Sequence, residues 1–147
     1  MPAGARRRRR RRSECPISSA LDLFGDRWSL LIMRDLLFRN RSHYREFFAS
    51  EEGIATNILA DRLAGLEAAG LVEKTDDDPR SGKQAYVASS KGKDLIPLLL
   101  EMMLWSAEHI PNVNAPDALI AELRKDRARA ARAIREKGGI EAFLTSL

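Results

Sequence analysis

Residues 53–72 constrain the fold of this chain more than any other segment. Three leucines in this run, Leu59, Leu63 and Leu66, follow one another at spacings of four and three. Those spacings place them on one face of an α-helix, and a glycine at position 70 is suited to end it. A helix of this kind can approach another surface closely, because its opposite face is small: it carries Asn57, Ala60, Asp61, Ala64 and Ala68.

The segments on either side of this helix predict a winged helix-turn-helix. Before it, residues 44–49 form a short amphipathic piece that Ser42 could cap. After it, residues 71–75 and 83–88 have the character of strands and flank 76–82, a turn-rich stretch that a helix would not tolerate. The order helix, turn, helix and β-hairpin is that of a winged helix-turn-helix.

Further helices are predicted around this unit, so the expected fold class is mainly α with a small β-hairpin and terminal helices for dimerisation. Residues 16–24 begin with a proline suited to a first helical turn and precede a glycine suited to a C-cap. Residues 28–38 carry apolar side chains at helical spacing. After the hairpin, Ser89 could cap one long helix ending near residue 109, and residues 117–137 predict a charged helix stopped by two glycines.

Charge divides the chain into three parts. Residues 1–12 contain seven arginines, at positions 6–12, and no acidic residue, which predicts a disordered basic tail. Residues 13–111, the predicted winged helix-turn-helix domain, hold eleven Lys or Arg against sixteen Asp or Glu, a net charge of −5. Residues 112–147, a predicted helical extension, hold seven against five, a net +2. Because the folded part is not basic overall, a nucleic-acid surface must come from the placement of individual cations.

The helix at residues 56–69 and the following hairpin carry the candidate contacts to a DNA duplex. Asn57 and Asp61, near the start of the helix, could hydrogen-bond base edges in a major groove. The acidic run at residues 76–78, a predicted solvated turn, works against contact between the hairpin and a phosphate backbone. The cations placed to reach phosphates are Arg62, Lys74, Arg80 and Lys83.

Four motifs occur in the order and at the spacing of a known family. They are Cys15–Leu21, Phe24–Leu36, Tyr44–Phe47 and Gly53–Val72, and the resemblance covers residues 15 to about 110. In this combination the chain resembles the HxlR family of MarR-like bacterial transcription regulators.

That resemblance implies a dimeric repressor or activator that binds a near-palindromic operator in double-stranded DNA. The helix beginning near Thr56 would lie in the major groove, and the wing at 75–83 would lie on the backbone or in the minor groove. With Thr56, the residues that the resemblance places on the DNA side are Asn57, Ala60, Asp61 and Arg62.

The chain departs from the family pattern in several places, two of which concern its helices. Ala55 stands where many relatives have a capping serine, so Thr56 could cap the helix instead and shift its start by one residue. Residues 112–147 extend past the usual end of the family. Packing in a dimer is favoured for this extension over a second nucleic-acid contact, because Leu119, Leu123 and Ile134 form only a partial apolar stripe.

Apolar side chains on the terminal helices predict a homodimer. The helix that follows the hairpin carries more apolar surface than one small domain needs to bury. A two-fold dimer would cover the excess, which includes Met102, Met103 and Trp105.

Cys15 is the candidate thiol sensor. It directly precedes Pro16 at a predicted helix start, where the helix dipole and nearby arginines favour the thiolate. The family resemblance adds that some HxlR members sense electrophiles, quinones or oxidants through a cysteine at this motif. The alternative is an ordinary unreactive thiol, since a lone cysteine is usually that. A small-molecule or electrophile effector is therefore a candidate partner.

Other function classes lack their motifs. There is no phosphate-binding glycine loop, nucleophile elbow or paired carboxylates, so we expect no enzyme and no cofactor. His43 and His109 have no ligand cluster at metal spacing, so we expect no metal site. The longest apolar run, Leu95–Leu100, is far shorter than the roughly 20 residues of a membrane span. One cysteine and no visible secretory signal make the cytoplasm the expected location.

Two alternatives come from other classes of protein. The arginine tract could bind RNA, although no aromatic residues interleave with it for stacking on bases. The winged helix could instead be a protein-interaction module without DNA binding, which the net charge of −5 on residues 13–111 permits.

Overall fold

The computed structural model of the chain describes residues 12–78 and 83–147. It confirms the predicted fold class, mainly α with one antiparallel hairpin. In chain order the elements are α1 (Pro16–Phe24), α2 (Ser29–Phe38), α3 (Tyr44–Phe48), α4 (Thr56–Ala68), β1 (Val72–Asp78), β2 (Lys83–Ala88), α5 (Ser90–Lys93), α6 (Ile96–His109), α7 (Asp117–Lys125), α8 (Arg127–Lys137) and α9 (Ile140–Thr145).

The winged helix-turn-helix is built from α2 through β2. The three predicted leucines of α4 are buried against α2 and β1, which fixes the direction of its outward face. The strands pair in antiparallel register from Val72 opposite Ala88 to Asp78 opposite Lys83. The backbone N–H of Tyr86 also donates to the carbonyl of Ser42 at 2.8 Å, so the segment before α3 joins the edge of the hairpin.

Helix α2 crosses the centre of the core. Ile32, Met33, Leu37 and Phe38 are buried on it, whereas Trp28 is only half-buried and serves as its N-cap. The apolar pattern of residues 28–38 therefore predicted the helix. It did not predict which side chains of α2 are buried, because neighbouring elements contact α2 from more than one side.

Strand β1 begins one residue later and ends three residues later than predicted. The sequence indicated a strand at 71–75 followed by a turn, but Asp76 pairs with Gln84 and Asp78 pairs with Lys83, with an irregularity in register between the two acidic positions. The acidic run therefore lies in the strand and not in the turn. Aspartate is a poor strand former, but strand propensity is weak compared with hydrogen bonding to a paired neighbour.

The single helix predicted from Ser89 to residue 109 is two helices. Ser89 does cap α5, because its Oγ accepts from the backbone N–H of Gly92 at 3.0 Å. Helix α5 ends at Lys93, and α6 begins at Ile96 with Pro97 in its first turn. A proline within a continuous helix would remove one hydrogen bond and clash with the carbonyl four residues earlier, whereas a first turn accommodates it.

The single helix predicted for residues 117–137 is also two. Asp126 separates α7 from α8 with an extended backbone (φ −160°, ψ 97°), and its side chain accepts from the N–H of Arg129 at 3.0 Å. This is an N-cap, for which aspartate is well suited. Gly138 ends α8 with a φ of 82°, as its position predicted.

The C-terminal helices pack onto the core of the same chain. Leu119, Leu123 and Ile134 are fully buried, and Phe143 of α9 joins them in one hydrophobic cluster with residues of α2 and α6. In the sequence these residues formed only a partial apolar stripe, because Leu119 and Leu123 belong to α7 and Ile134 belongs to α8. None of the helices in residues 12–78 and 83–147 combines the length and apolar character that a bilayer span requires.

Candidate nucleic-acid interface

The outward face of α4 is exposed and short, as its sequence predicted. Thr56, Asn57, Ala60 and Asp61 are all exposed, and so are the later small residues Ala64 and Ala68. The opposite face is anchored by the buried leucines. A second surface can therefore approach the α4 backbone closely along most of its length.

Helix α4 begins at Thr56, and Ala55 is its N-cap. Thr56 is therefore a first-turn residue and not the alternative cap that the sequence suggested. The first intrahelical hydrogen bond runs from the N–H of Leu59 to the carbonyl of Ala55 at 2.9 Å. Among the described residues no side chain caps the N-terminus of α4. The first backbone N–H groups of α4 can therefore donate hydrogen bonds to a bound group.

Arg62 is tied to two carboxylates of its own chain. Its Nε donates to Oδ2 of Asp26 at 2.9 Å, and its Nη1 donates to Oδ2 of Asp61 at 2.5 Å. The side chain keeps 34% of its surface exposed. The sequence predicted a phosphate-reaching cation at this position but gave no indication that α4 is linked to the segment before α2.

Asp26 makes that link at the start of α2. Its Oδ2 accepts from the backbone N–H groups of Trp28 and Ser29, each at 2.9 Å, and its Oδ1 accepts from Oγ of Ser29 at 2.6 Å. Burial raises the pKa of Asp26, but the hydrogen bonds from Ser29, Trp28 and Arg62 outweigh it and lower the pKa overall. An aspartate three residues before the first turn of a helix is the sequence signal that could have indicated this role.

A buried carboxylate holds the turn between α3 and α4. Asp35 of α2 is only 3% exposed, and it accepts from Nε of Arg34 at 3.0 Å and from Oγ of Ser50. The guanidinium groups of Arg39 and Arg41 lie 3.7 and 3.8 Å from its oxygens. A buried charge is costly without partners, and these groups provide them. The apolar spacing of residues 28–38 predicted the helix but carried no signal for this function of Asp35.

The same network extends to both sides of that turn. Arg34 donates to both carboxylate oxygens of Glu52 at 3.1 and 2.6 Å, and Arg41 donates to Oγ of Ser50 at 2.6 Å. The hydrogen bond from Arg34 is the main cause of a lowered pKa of Glu52. Gly53 follows with a φ of 69°, a conformation that glycine adopts without strain. The start of α4 is thus fixed relative to α2.

His43, and not Ser42, caps α3. Its Nδ1 lies 2.9 Å from Oε1 of Glu46, and the same oxygen accepts from the backbone N–H groups of His43 and Ser42 at 3.1 and 3.2 Å. The hydrogen bond with His43 is the largest cause of a lowered pKa of Glu46. Glutamate at the third helical position selects the residue three before it as the cap. The next residue, Tyr44, packs edge-on against Tyr86 of β2 with ring centroids 6.0 Å apart.

The structure describes only part of the hairpin and tail cations. Lys74 is exposed on β1, with its Nζ 3.7 Å from a carboxylate oxygen of Glu67 on α4. Lys83 begins β2, but its side chain lies outside the described residues, as does the whole of Arg80. The arginine tract at 6–11 lies outside them too.

Cys15 lies at the N-cap of α1 and is exposed. Its backbone N–H donates to Oγ of Ser13 at 3.3 Å. Because Cys15 is exposed, a reagent in solution can reach its thiol.

In the part of the chain that the structure describes, no three His, Cys, Asp or Glu side chains are grouped so as to hold a metal ion.

Two helices present apolar faces to solvent. Helix α1 buries none of its residues, and α6 exposes a row of apolar side chains opposite its buried leucines. Trp105 is 60% exposed and Met102 is 47% exposed, even though the C-terminal helices pack against α6. The large apolar side chains exposed on the two helices are Ile17, Leu21, Leu23, Leu98, Met102 and Trp105.

Comparison with known proteins matches this architecture to one family. The family model of the HxlR-like helix-turn-helix matches residues 23–114. This chain belongs to the HxlR-like family. The resemblance seen in the sequence motifs is thereby confirmed, and the matched segment of this HxlR-like protein contains the whole winged helix-turn-helix.

Individual relatives of this HxlR-like protein are named as regulators. An uncharacterized HTH-type transcriptional regulator of Mycobacterium tuberculosis is 30% identical over 100 residues, which cover 68% of this chain and 62% of the relative. The match therefore spans about three-fifths of that relative's length.

Solved structures agree with the fold. The putative transcription factor PA1607 superposes with a TM-score of 0.64 at 32% identity, covering 72% of this chain and 74% of that chain. The transcriptional regulator YodB from Bacillus subtilis, in its reduced form, gives a TM-score of 0.56 at 28% identity and covers 69% of this chain and 100% of YodB. YodB has also been solved after diamide treatment, and that form gives a TM-score of 0.51 at 30% identity, covering 65% of this chain and 94% of YodB.

Proposed function

We propose that this protein is a transcription regulator that binds double-stranded DNA with α4 in the major groove. The observation that carries the proposal is the exposed, short face of α4, held in place by charged contacts to α2. Membership of the HxlR-like family and relatives named as transcriptional regulators support it. None of the relatives described above is named as an enzyme. A location in the cytoplasm stays a prediction.

We propose individual roles for the exposed residues of α4. Asn57 and Asp61 are placed to hydrogen-bond base edges, and Ala60 lets the helix backbone approach between them. Thr56, at the uncapped start of the helix, is placed to meet a phosphate. Among the described residues, Arg62 donates hydrogen bonds from Nε and Nη1, and we assign its Nη2 to a phosphate.

We propose that the hairpin contacts DNA beside the groove that α4 enters. Lys83 begins β2, and Arg80 falls in the sequence between the two strands, outside the described residues. Both are assigned to the phosphate backbone or the minor groove. The acidic run at 76–78 limits how much this contact adds to affinity.

We propose that the protein binds a near-palindromic operator as a homodimer. The support is the apolar surface that α1 and α6 leave exposed, which a two-fold partner would cover. In such a dimer the two α4 helices enter major grooves one turn of duplex apart, about 34 Å. Two half-sites of related sequence at that spacing are therefore expected.

The test is a binding titration with the DNA upstream of the protein's own gene, at about 150 mM salt, where specific and non-specific affinities separate. We expect binding to this duplex to resist an excess of unrelated duplex of equal length. An RNA of the same sequence is the second titrant. Preference for the RNA that is lost on deleting residues 1–12 would instead support the RNA-binding alternative, and no binding to either nucleic acid would support an interaction module.

We also propose that Cys15 makes operator binding sensitive to thiol-reactive agents. The thiol is exposed at the start of α1, next to the apolar face assigned to the dimer, and the relative YodB has been solved in reduced and diamide-treated forms. Diamide takes up two electrons and two protons from two thiols and becomes the hydrazine. Because the chain has one cysteine, the disulfide would join Cys15 of one subunit to Cys15 of its partner or to a low-molecular-weight thiol. We expect diamide to weaken operator binding by the native protein and not by Cys15→Ser. Equal weakening of both proteins would rule the proposal out.

A further inference from the structure

A cavity of about 250 Å³ opens between the C-terminal helices and the hairpin. It is open to solvent and is bordered by the end of α2, by β2, by the junction of α5 and α6, and by the end of α8. Helix α8 lies outside residues 23–114, the segment that the family model matches. The extension of this particular chain therefore supplies one wall of the cavity.

The interior of the cavity is largely apolar. Its apolar lining comes from four elements: Leu36 and Leu37 of α2, Val87 of β2, Ile96 of α6 and Ile134 of α8. Leu36 and Val87 keep accessible surface there, whereas Leu37, Ile96 and Ile134 are buried behind them. Its volume lies below the roughly 300–1,000 Å³ of sites for drug-sized ligands. The cavity therefore suits a small molecule with a hydrocarbon body.

Cations line the cavity without a lining carboxylate. Arg41, Lys93 and Arg135 all contribute to its wall, and no Asp or Glu among the described residues does. Arg135 donates to Oδ1 of Asp94 at 2.6 Å and to Oγ of Ser90 at 3.0 Å, which fixes its position. Within the described residues Lys93 forms no ion pair, so its side chain is accessible to a ligand.

We propose that this cavity binds a small amphipathic anion, with an apolar tail against Leu36 and Val87 and a carboxylate at Lys93 and Arg135. A carboxylate accepts charge-assisted hydrogen bonds from both an ammonium and a guanidinium group. The inference goes beyond the proposed function, and its test requires no DNA.

The test is a calorimetric titration of the full chain with octanoate and, separately, with octan-1-ol and octylammonium. All three have the same hydrocarbon tail and differ in the charge of the head group. We expect octanoate to bind once per chain and the alcohol and the ammonium to bind at least about tenfold more weakly, because each lacks the charge-assisted bonds. Equal affinity for octanoate and octan-1-ol, or no octanoate binding, would overturn the proposal.

Substitutions locate the bound octanoate. We expect Lys93→Glu to weaken octanoate binding about tenfold or more. Lys137→Glu makes the same charge change on α8 outside the cavity lining and should leave octanoate binding unchanged.

A second pair of variants changes the charge of the lining itself. Val87 lines the cavity and is 41% exposed, so Val87→Asp should weaken octanoate binding and Val87→Lys should preserve or strengthen it. Thermal unfolding of each variant establishes that it is folded. Octanoate affinity that is the same in Lys93→Glu and Val87→Asp as in the native protein would place the ligand elsewhere and refute the site.

Discussion

At the scale of single residues, the contacts that position α4 are charged. Asp35 joins three arginines and Ser50, while Asp26 joins the start of α2 to Arg62. Each carboxylate bridges segments that are distant in sequence, so the helix that presents the candidate interface depends on polar groups as well as on its buried leucines.

Replacing Asp35 should destabilise the protein. In Asp35→Asn the charge that compensates the surrounding guanidinium groups is lost, and we expect the free energy of unfolding to fall by about 1–3 kcal/mol. Urea denaturation measures it. The matched control is Glu51→Gln, which removes a carboxylate that is 72% exposed and pairs with Arg39, and it should change stability by less than about 0.5 kcal/mol. An equal loss in both variants would contradict the special role of Asp35.

The lowered pKa values of Asp26, Glu46 and Glu52 predict a loss of stability in acid. A carboxyl group whose pKa is lower in the folded state contributes stability that is complete above its unfolded pKa and is lost as pH falls through the folded pKa. We therefore expect the urea midpoint to fall as pH decreases below the ordinary values of 3.8 for Asp and 4.5 for Glu. Glu52→Gln should show a shallower fall, and identical pH profiles for the two proteins would contradict the assignment.

At the scale of elements, each helix boundary that the sequence misplaced has a local cause. Pro97 lies in the first turn of α6, because it would disrupt a helix continued from α5, and α8 begins directly after Asp126, because the side chain of Asp126 caps that helix. Helix α4, in contrast, has no side-chain cap, and its start is set by the network around Asp35 and Gly53. Its outward face is therefore a rigid surface for the proposed DNA contact.

Removing the side chain of Asn57 should weaken operator binding without affecting the fold. We expect Asn57→Ala to cost about 1–3 kcal/mol of binding free energy, the range for a specific contact to a base. Fluorescence anisotropy with operator and unrelated duplex measures the change in preference. Asn114→Ala removes an exposed asparagine outside α4 and serves as the control. Similar operator affinity for both variants would remove Asn57 from the interface.

At the scale of the whole molecule, residues 112–147 complete one hydrophobic core and leave the faces of α1 and α6 exposed. The extension therefore stabilises the subunit without covering the surface assigned to the dimer. It also forms one wall of the cavity proposed to bind an anion.

Placing a charge on the exposed face of α6 should separate the subunits. In Trp105→Glu a carboxylate would be buried at the proposed interface, so we expect light scattering to give the mass of one chain, 16.5 kDa, where the native protein gives twice that mass. Leu147→Glu is the control, because Leu147 is 63% exposed at the other end of the chain and should leave the dimer intact. A native protein that is monomeric at micromolar concentration would contradict the dimer.

The sequence by itself determined the order of the winged helix-turn-helix, the buried and exposed faces of α4, and the helix signals at Ser89 and Gly138. These features depend on side-chain periodicity and on residues within one turn of one another, which a linear sequence records directly.

Only the tertiary structure decided how those elements are held together. Asp26 bonds to Arg62 across 36 positions, Asp35 bonds to Ser50 across 15, and β1 extends through its acidic residues because β2 pairs with it. The C-terminal helices likewise find their partners on α2 and α6. Such contacts depend on which segments meet in space, and the periodicity of either segment alone carries no information about the other.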